Sequence, residues 1–474
     1  MLPIRRAARS LVTVAVATLI AGCALGPNYK RPAAAVTDSF KNPVSTTAPA
    51  PPEKWWTLFG DSVLNDLEAQ VEVSNQNIAQ AAAAYMQARA VVRQDRSNLL
   101  PSVGVSGGVT RSGGGSFGNI GGSSSSTNYQ LSPSASWELD VWGRLRRTLE
   151  NAHAGAEASA ADLANAKLTA QSQLAIAYLQ LRGADAQRRL LSDTEVAYAR
   201  TLTITQNRYT VGTAARTDVL QAQTQLYSAQ DQEQNEVLQR AQLENAIAAL
   251  VGRPASAFTI APLDTWDIPV PQIPAGMPSE LLLRRPDVSA AERQMAAANA
   301  TIGVQEANFF PAITLTSSLD FVSTVAASSA IFDTHSQSHS VAGQLSQTLL
   351  DFGGRRAQVD EARNSYAQSV ASYRQSVLSA FEDVENDLAA ADIYKKEFDI
   401  RTKNSESADL TEKLTINQYK AGTVDFTTVV VQQTAALNSR LQLAQIKVSQ
   451  QTNAVSLITD LGGGWRAPDY SHYQ

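Results

Sequence analysis

One cysteine, four histidines and no long apolar run beyond the leader set the first limits on this 474-residue chain. With Cys23 as the sole cysteine there is no internal disulfide and no thiolate cluster. No stretch past Ile20 approaches the 18 or so consecutive apolar residues of a spanning helix, so any membrane crossing is made by strands. His335 and His339 are four apart, but in a Ser-rich stretch with no helical stripe and no carboxylate at ligand spacing, and His153 and His472 are isolated. No metal centre and no cofactor are expected. Charged residues make up 18% of the chain and the formal net charge is −5, a balance that disfavours nucleic acid as a partner. Proline is absent between Pro133 and Pro254 and between Pro311 and Pro468, which leaves room for very long helices.

Catalytic motifs are also missing. Gly114-Gly115-Ser116-Phe117-Gly118 matches a nucleophile-elbow pattern, and Gly113, Gly115 and Gly118 a dinucleotide-loop pattern. Both patterns need a helix to follow, and a Ser-rich loop follows instead, so no enzyme is expected.

What is present is a duplication. Asn98-Leu99-Leu100-Pro101-Ser102-Val103 returns about 210 positions later as Asn308-Phe309-Phe310-Pro311-Ala312-Ile313. Leu139-Asp140-Val141-Trp142-Gly143-Arg144 likewise returns as Leu350-Asp351-Phe352-Gly353-Gly354-Arg355. Between these markers each half reads as strand, Gly/Ser loop, strand, with strands expected at about 102–111, 129–141, 312–322 and 340–351. Val103, Val105 and Val109 alternate with Ser102, Gly104 and Ser106; Ile313, Leu315 and Phe321 alternate with Thr314, Thr316 and Asp320. Each run is close to the 9 to 11 residues of a tilted membrane strand, although period-2 alternation alone fits an ordinary half-buried sheet equally well.

The two ends of the chain favour the membrane reading. Arg5, Arg6 and Arg9 precede an apolar segment from Leu11 to Ile20, too short to span, and Ile20-Ala21-Gly22-Cys23 resembles a bacterial lipobox. Residues 1–22 are then a lipoprotein signal peptide, and Cys23 carries the covalent lipid. Ala24 after the cysteine favours, by resemblance to lipoproteins, the outer membrane. Residues 23–54 read as a lipidated tether, Pro/Ala/Thr-rich and extended or mobile.

Residues 55–250 form the first repeat. Trp55-Trp56, with Phe59, Asp61, Leu64 and Leu67, opens a helix of roughly 35 residues before Pro101, its tryptophans expected in the core. From Gly143 to about Asn207 a continuous helix would be roughly 97 Å long. A helix of that length needs a partner along its course, as in a coiled coil or an all-helical barrel. Val430, Leu437, Leu441, Ala444, Val448, Val455 and Ile458 fall on steps of four and three, interrupted by Thr434 and Gln451. Asn207-Arg208-Tyr209-Thr210-Val211-Gly212-Thr213 and Asn417-Gln418-Tyr419-Lys420-Ala421-Gly422-Thr423 are matched turns where each long helix reverses. Residues 251–280 are a Pro-rich connector, 281–461 the second repeat, begun by the helix start Pro286-Asp287, and 462–474 a tail.

Four strands cannot close a membrane barrel, whose single-chain minimum is about eight, and open edges are not tolerated in lipid. Several chains must therefore share one barrel. The Cys23 to Pro32 segment, Trp55-Trp56 with Phe59 and Asp61, Leu282 to Asp287, the paired Asn-X-Tyr-X-X-Gly-Thr turns and the terminal Leu461-Gly462-Gly463-Gly464-Trp465 resemble the outer membrane factor family, lipoprotein branch (TolC/OprM/NodT type).

The resemblance implies a mainly α chain with a membrane β-barrel part. It implies a homotrimer whose 12-stranded barrel is continued by a periplasmic coiled-coil barrel, working with a periplasmic adaptor (membrane fusion protein) and an inner membrane transporter of the RND type. The duct would conduct passively, for drugs or other toxic compounds, and open at helix tips around Gly212, Thr213, Gly422 and Thr423. It also maps a closing contact onto Tyr419 and Asp218, with Thr217 beside the latter. Val424 stands where an arginine latch is expected, and Thr428 and Val431 stand at the aspartate-ring positions; Asp425 is a substitute ring candidate. Asp218 and Asp425 are equally well placed to be helix-start acids. Type I protein secretion and a non-conducting periplasmic scaffold are the alternative functions, the latter leaving the four matched strands unexplained.

Overall fold

The computed structural model describes residues 24–33, 37, 39–41, 52–113, 125–263, 266, 268–271, 273, 284–324 and 337–468. Residues 1–23 with Cys23, the motif at 114–118, His335 and His472 lie outside them. The chain divides into two compact units, one of Met1–Ala33, Ala84–Ser159 and Ala290–Tyr373, the other of Ala34–Ala83, Ala160–Ser289 and Arg374–Gln474.

In the first unit lie strands β1 (Ser102–Gly113), β2 (Ser125–Glu138), β3 (Ala312–Ser323) and β4 (Gln337–Ser346), antiparallel in the order β1-β2-β3-β4. Directly opposed residues point to the same side. Val103↔Ala135, Leu131↔Phe321, Trp137↔Leu315 and Ile313↔Leu345 therefore share an apolar face, and Ser106↔Ser132, Ser134↔Ser318 and Ser318↔Ser340 a hydroxyl-rich one. The apolar face is bare along the edge strands, with Val103 80% and Val341 79% exposed, and half-buried at Leu131, Trp137, Ile313 and Phe321. Pro133 sits inside β2, and the ladder to β3 skips Ser132 and Pro133, as a residue without an N–H requires.

β2 stops at Glu138 and β4 at Ser346, short of the expected 141 and 351, and both start earlier than expected. The reason lies in the repeated Leu-Asp pair. Asp140 accepts from the N–H groups of Leu145 and Arg146, each at 2.9 Å, and Asp351 from the N–H of Arg355 at 3.0 Å. These acids cap the long helices instead of extending the strands. The Arg355 side chain, 2.6 Å away, holds the Asp351 carboxyl down at about 2.

The long helices are α3 (Arg144–Thr210) and α6 (Gly354–Ala421), of 67 and 68 residues. Their outgoing partners are α4 (Arg216–Leu250) and α7 (Phe426–Asp460). The helix expected from Trp55 is broken into a 3₁₀ turn (Trp55–Phe59), α1 (Ser62–Ser74) and α2 (Gln76–Ser97). Asn75 makes the second break: its Oδ1 caps Asn77 and Ile78 while its Nδ2 donates to Leu250 O at 2.8 Å. α5 (Pro286–Ala307) starts at Pro286 as expected, and Arg285 donates to Asp287 at 2.7 Å and Asp460 at 3.2 Å.

The second unit packs its core from Trp55, Phe59, Leu64, Leu174, Tyr178, Ile247, Val384, Val455 and Ile458. Of the expected α7 stripe, Leu437, Val448, Val455 and Ile458 are buried, while Val430, Leu441 and Ala444 are half-buried. Val429, Ala436, Ile446 and Leu457 are buried in addition, because α7 meets several neighbours. Gln433 O accepts from Tyr198 on α3 at 3.1 Å, and Arg440 reaches Asp409 and Glu412 on α6 at 2.7 Å each. Gln451, an interruption in the stripe, is fully buried and donates to Ile268 O of the connector at 2.6 Å.

Candidate gate at the helix tips

Each hairpin of long helices turns on the same device. Gly212 (φ 79°) and Gly422 (φ 80°) take the left-handed conformation that closes a helix C-terminus. Gly212 N donates to Tyr209 O at 3.0 Å and Thr213 N to Arg208 O at 2.8 Å; Gly422 N donates to Tyr419 O and Thr423 N to Gln418 O, both at 3.0 Å. Thr213 and Thr423 also bond their hydroxyls to the same Arg208 and Gln418 carbonyls, at 3.1 and 3.0 Å. All four residues are exposed.

The following helices begin on acids. Asp218, three residues into α4's start, accepts the Ala215 N–H at 3.2 Å. Asp425 is the N-cap of α7, accepting from Thr428 N at 2.9 Å and Thr428 Oγ1 at 2.6 Å, and those bonds, the hydroxyl's first, hold its carboxyl below the usual range. Both acids thus perform the helix-start role open to them in the sequence. Thr217 is exposed in the first turn of α4.

Tyr419 is buried, its ring 5.3 Å from that of Phe426, with Ala222 and Val429 completing the cluster. Among the described residues no hydrogen bond joins it to Asp218, and its hydroxyl has no partner. Its partner is Arg208. The guanidinium lies 4.5 Å from the Tyr419 ring centroid and donates to the Tyr419 carbonyl. That carbonyl, which also accepts from Gly422 N, lies in the last turn of α6, where the negative end of the helix dipole favours a cation.

Arg208 has no local motif to mark it, yet the duplication sets it apart. Arg208 in the first turn stands where Gln418 stands in the second, and correspondingly Tyr209 is exposed while Tyr419 is buried. The contact runs one way, from the first tip to the second. Of the histidines, His339 lies on the apolar face of β4 opposite Leu319. His153 is half-buried, and burial, with Arg96 nearby, lowers its pKa.

A sheet with one greasy and one hydroxyl-lined face suits strands that meet lipid, and helices of 67 and 68 residues suit a coiled coil or helical barrel. The family model for outer membrane efflux proteins matches residues 68–253 and 277–463, one segment in each half, and the chain belongs to that family. Its place is the outer membrane, and its function is that of the outer membrane component of an efflux pump. It is similar to the toluene efflux pump outer membrane protein TtgF of Pseudomonas putida, 29% identical over 467 residues, covering 96% of each chain. It is also similar to the cation efflux system protein CusC of Escherichia coli, 28% identical over 461 residues, covering 96% of this chain and 99% of the relative. Among solved structures, the outer-membrane channel OprN superposes with a TM-score of 0.85 at 29% identity, over 94% of this chain and 100% of that one. The open state of the Neisseria gonorrhoeae MtrE outer membrane channel does so with 0.83 at 27%, over 95% and 100%.

Proposed function

We propose that three copies of this chain form a passive exit duct: a 12-stranded barrel in the outer membrane, continued by a periplasmic helical barrel. The observation that carries this reading is the four-stranded sheet, whose apolar face is bare along the edge strands β1 and β4, which pair on one side only among the described residues. Lipid covers such a face, and a neighbouring copy completes such edges. Exposed apolar residues on the helices, Leu220 and Tyr227 on α4 and Ile393, Ile400 and Leu414 on α6, support the same copies packing side by side. Cys23 carries lipid that anchors the chain to the membrane. The duct takes its cargo from an inner membrane transporter, of the RND type, through a periplasmic adaptor that docks at Gly212, Thr213, Gly422 and Thr423. Relatives named for toluene and cation efflux support small molecules as the cargo.

The gate lies at the tips. Arg208 and Tyr419 hold the two hairpins together in the closed duct, Thr217 and Asp218 belong to the same gate, and Asp425 contributes one charge per chain to a ring around the pore. Photocrosslinking from Thr213 and Thr423 in living cells, with the captured protein identified by mass spectrometry, tests the assembly. Capture of the adaptor of a proton-driven exporter supports it; capture of the adaptor of an ATP-driven exporter moves the reading to protein secretion; no adaptor at either tip overturns the tripartite reading.

A further inference from the structure

The two halves of the chain close the same joint with different chemistry. In the first, Asn75 Nδ2 donates to Leu250 O, the last carbonyl of α4, at 2.8 Å. In the second, the position about 210 residues on holds Arg285, whose Nη1 donates to Asp460 O, the last carbonyl of α7, at 3.3 Å. The same offset sets Asp387 on α6 against Ala177 on α3, and Asp460 against Leu250. An amide and two uncharged side chains therefore suffice to close the joint. The second half adds charges that closure does not need.

Those charges are crowded. Arg285, its side chain 11% exposed, reaches Asp287 at 2.7 Å, Asp460 Oδ1 at 3.2 Å and Asp383 at 3.5 Å. Asp387 is the fourth acid. It lies as many residues before Ala421 as Asp460 lies after Phe426, so the two face each other across the hairpin. The main-chain carbonyl of Asp387 accepts from Asn453 of α7 at 3.0 Å, whereas its Oδ2 is buried and accepts no hydrogen bond. The Asp387 and Asp460 side chains are bonded to each other. Two carboxyl groups bond in this way only when one of them carries a proton. The ionisable groups acting on the pair are Arg285, Asp287 and Asp383, so one guanidinium serves four acids. Burial first, and then the facing Asp460 charge, raises the pKa of Asp387, and burial raises that of Asp460.

We infer that Asp387 and Asp460 share one proton, and that this proton is a clasp holding the end of α7 against α6 and the start of α5. With the proton in place, Asp387 donates to Asp460, and Asp460 keeps its bond to Arg285. When it leaves, two carboxylates oppose each other in a partly buried site already short of cations. Their repulsion falls on the last turn of α7, the negative end of a helix dipole. In the range between the ordinary and the raised pKa the folded chain keeps a proton that the unfolded chain has released. The clasp is thus closed below the raised value and opens as pH rises through it. The joint at Asn75 carries no such group and stays closed.

The test uses the full chain purified from outer membranes, in a Glu68→Gln background that silences the other buried carboxyl. Infrared difference spectra between about pH 6 and about pH 9.5 read protonated carboxyl groups, and hydrogen exchange, as protection factors, reads the last two turns of α7 and of α4. In this parent the carbonyl band of a protonated carboxyl is lost across the range and protection in α7 falls at least about tenfold, while α4 is unchanged. Asp387→Asn, which donates to Asp460 without a titrating proton, lacks the band change and keeps α7 protected at both ends of the range. Asp387→Ala, which copies Ala177, also lacks the band change and serves should the asparagine variant fail to accumulate. No band lost in the parent, or the same loss in the variants, overturns the shared proton. A band change confined to the parent with α7 protection unaltered overturns the clasp.

Discussion

Arg208 joins two helix ends with one side chain, and its removal has a definite consequence. A cation over an aromatic ring together with a charged donor on a terminal carbonyl is worth on the order of 1–3 kcal/mol. Arg208→Ala is therefore expected to raise the open probability of the isolated duct several-fold in planar bilayers, with Arg208→Lys restoring part of the closure; identical traces would remove Arg208 from the gate. Asp425 has two roles to separate. Asp425→Ala removes both cap and charge, whereas Asp425→Asn keeps the cap. Reduced cation selectivity in both variants, read from the reversal potential in a salt gradient, is the expected result, and an unchanged potential in the asparagine variant excludes the ring. Glu68, on α1, is fully buried with neither oxygen bonded among the described residues, and burial pushes its pKa from 4.5 to about 9. Between those two values the unfolded chain has released a proton that the folded chain keeps, so this residue makes stability fall as pH rises from 4.5 to 9. Glu68→Met removes that slope and stabilises by roughly 3 kcal/mol at pH 7, with little gain near pH 4.5, as thermal midpoints at the two pH values will register. The acids that start α4 and α7 were legible because helix starts have a local signature. Arg208 and Glu68 were not, because one acts on a residue far along the chain and the other is set apart only by packing.

At the scale of elements, period and punctuation carried most of the fold. The four strands and the long helices follow from alternation and from proline-free stretches, and the two reversals follow from Gly212 and Gly422. What was misplaced is where one element hands over to the next. Asp140 and Asp351 continue a strand-like pattern by residue type, yet they cap helices, because a free helix N-terminus competes more strongly for a carboxylate than a fading strand does. Asn75 splits a helix that composition would have continued, because its side chain serves the α2 N-terminus and a distant carbonyl at once. Asp61 has a similar double task, capping α1 through Val63 N at 2.8 Å and accepting the buried Tyr178 hydroxyl at 2.7 Å. Asp61→Ala is expected to cost about 2–3 kcal/mol, more than a cap alone, and Asp61→Ala in a Tyr178→Phe background only about 1. Equal losses in the two backgrounds, measured as thermal midpoints, would show that Asp61 only caps.

At the scale of the molecule, the duplication supplies each feature twice and then breaks the symmetry at one tip, through Arg208 and Gln418. Within one chain the sheet is unfinished, and the proposed trimer is what finishes it. That pairing is open to direct measurement by disulfide trapping between edge strands in the intact outer membrane. Val105→Cys on β1 is combined in turn with His339→Cys, Val341→Cys, Gly343→Cys and Leu345→Cys on β4, all on the apolar face. One register is expected to trap, giving dimers and trimers on a denaturing gel and nothing larger. Monomers in every pair, or a ladder running past three, would contradict a closed three-chain barrel.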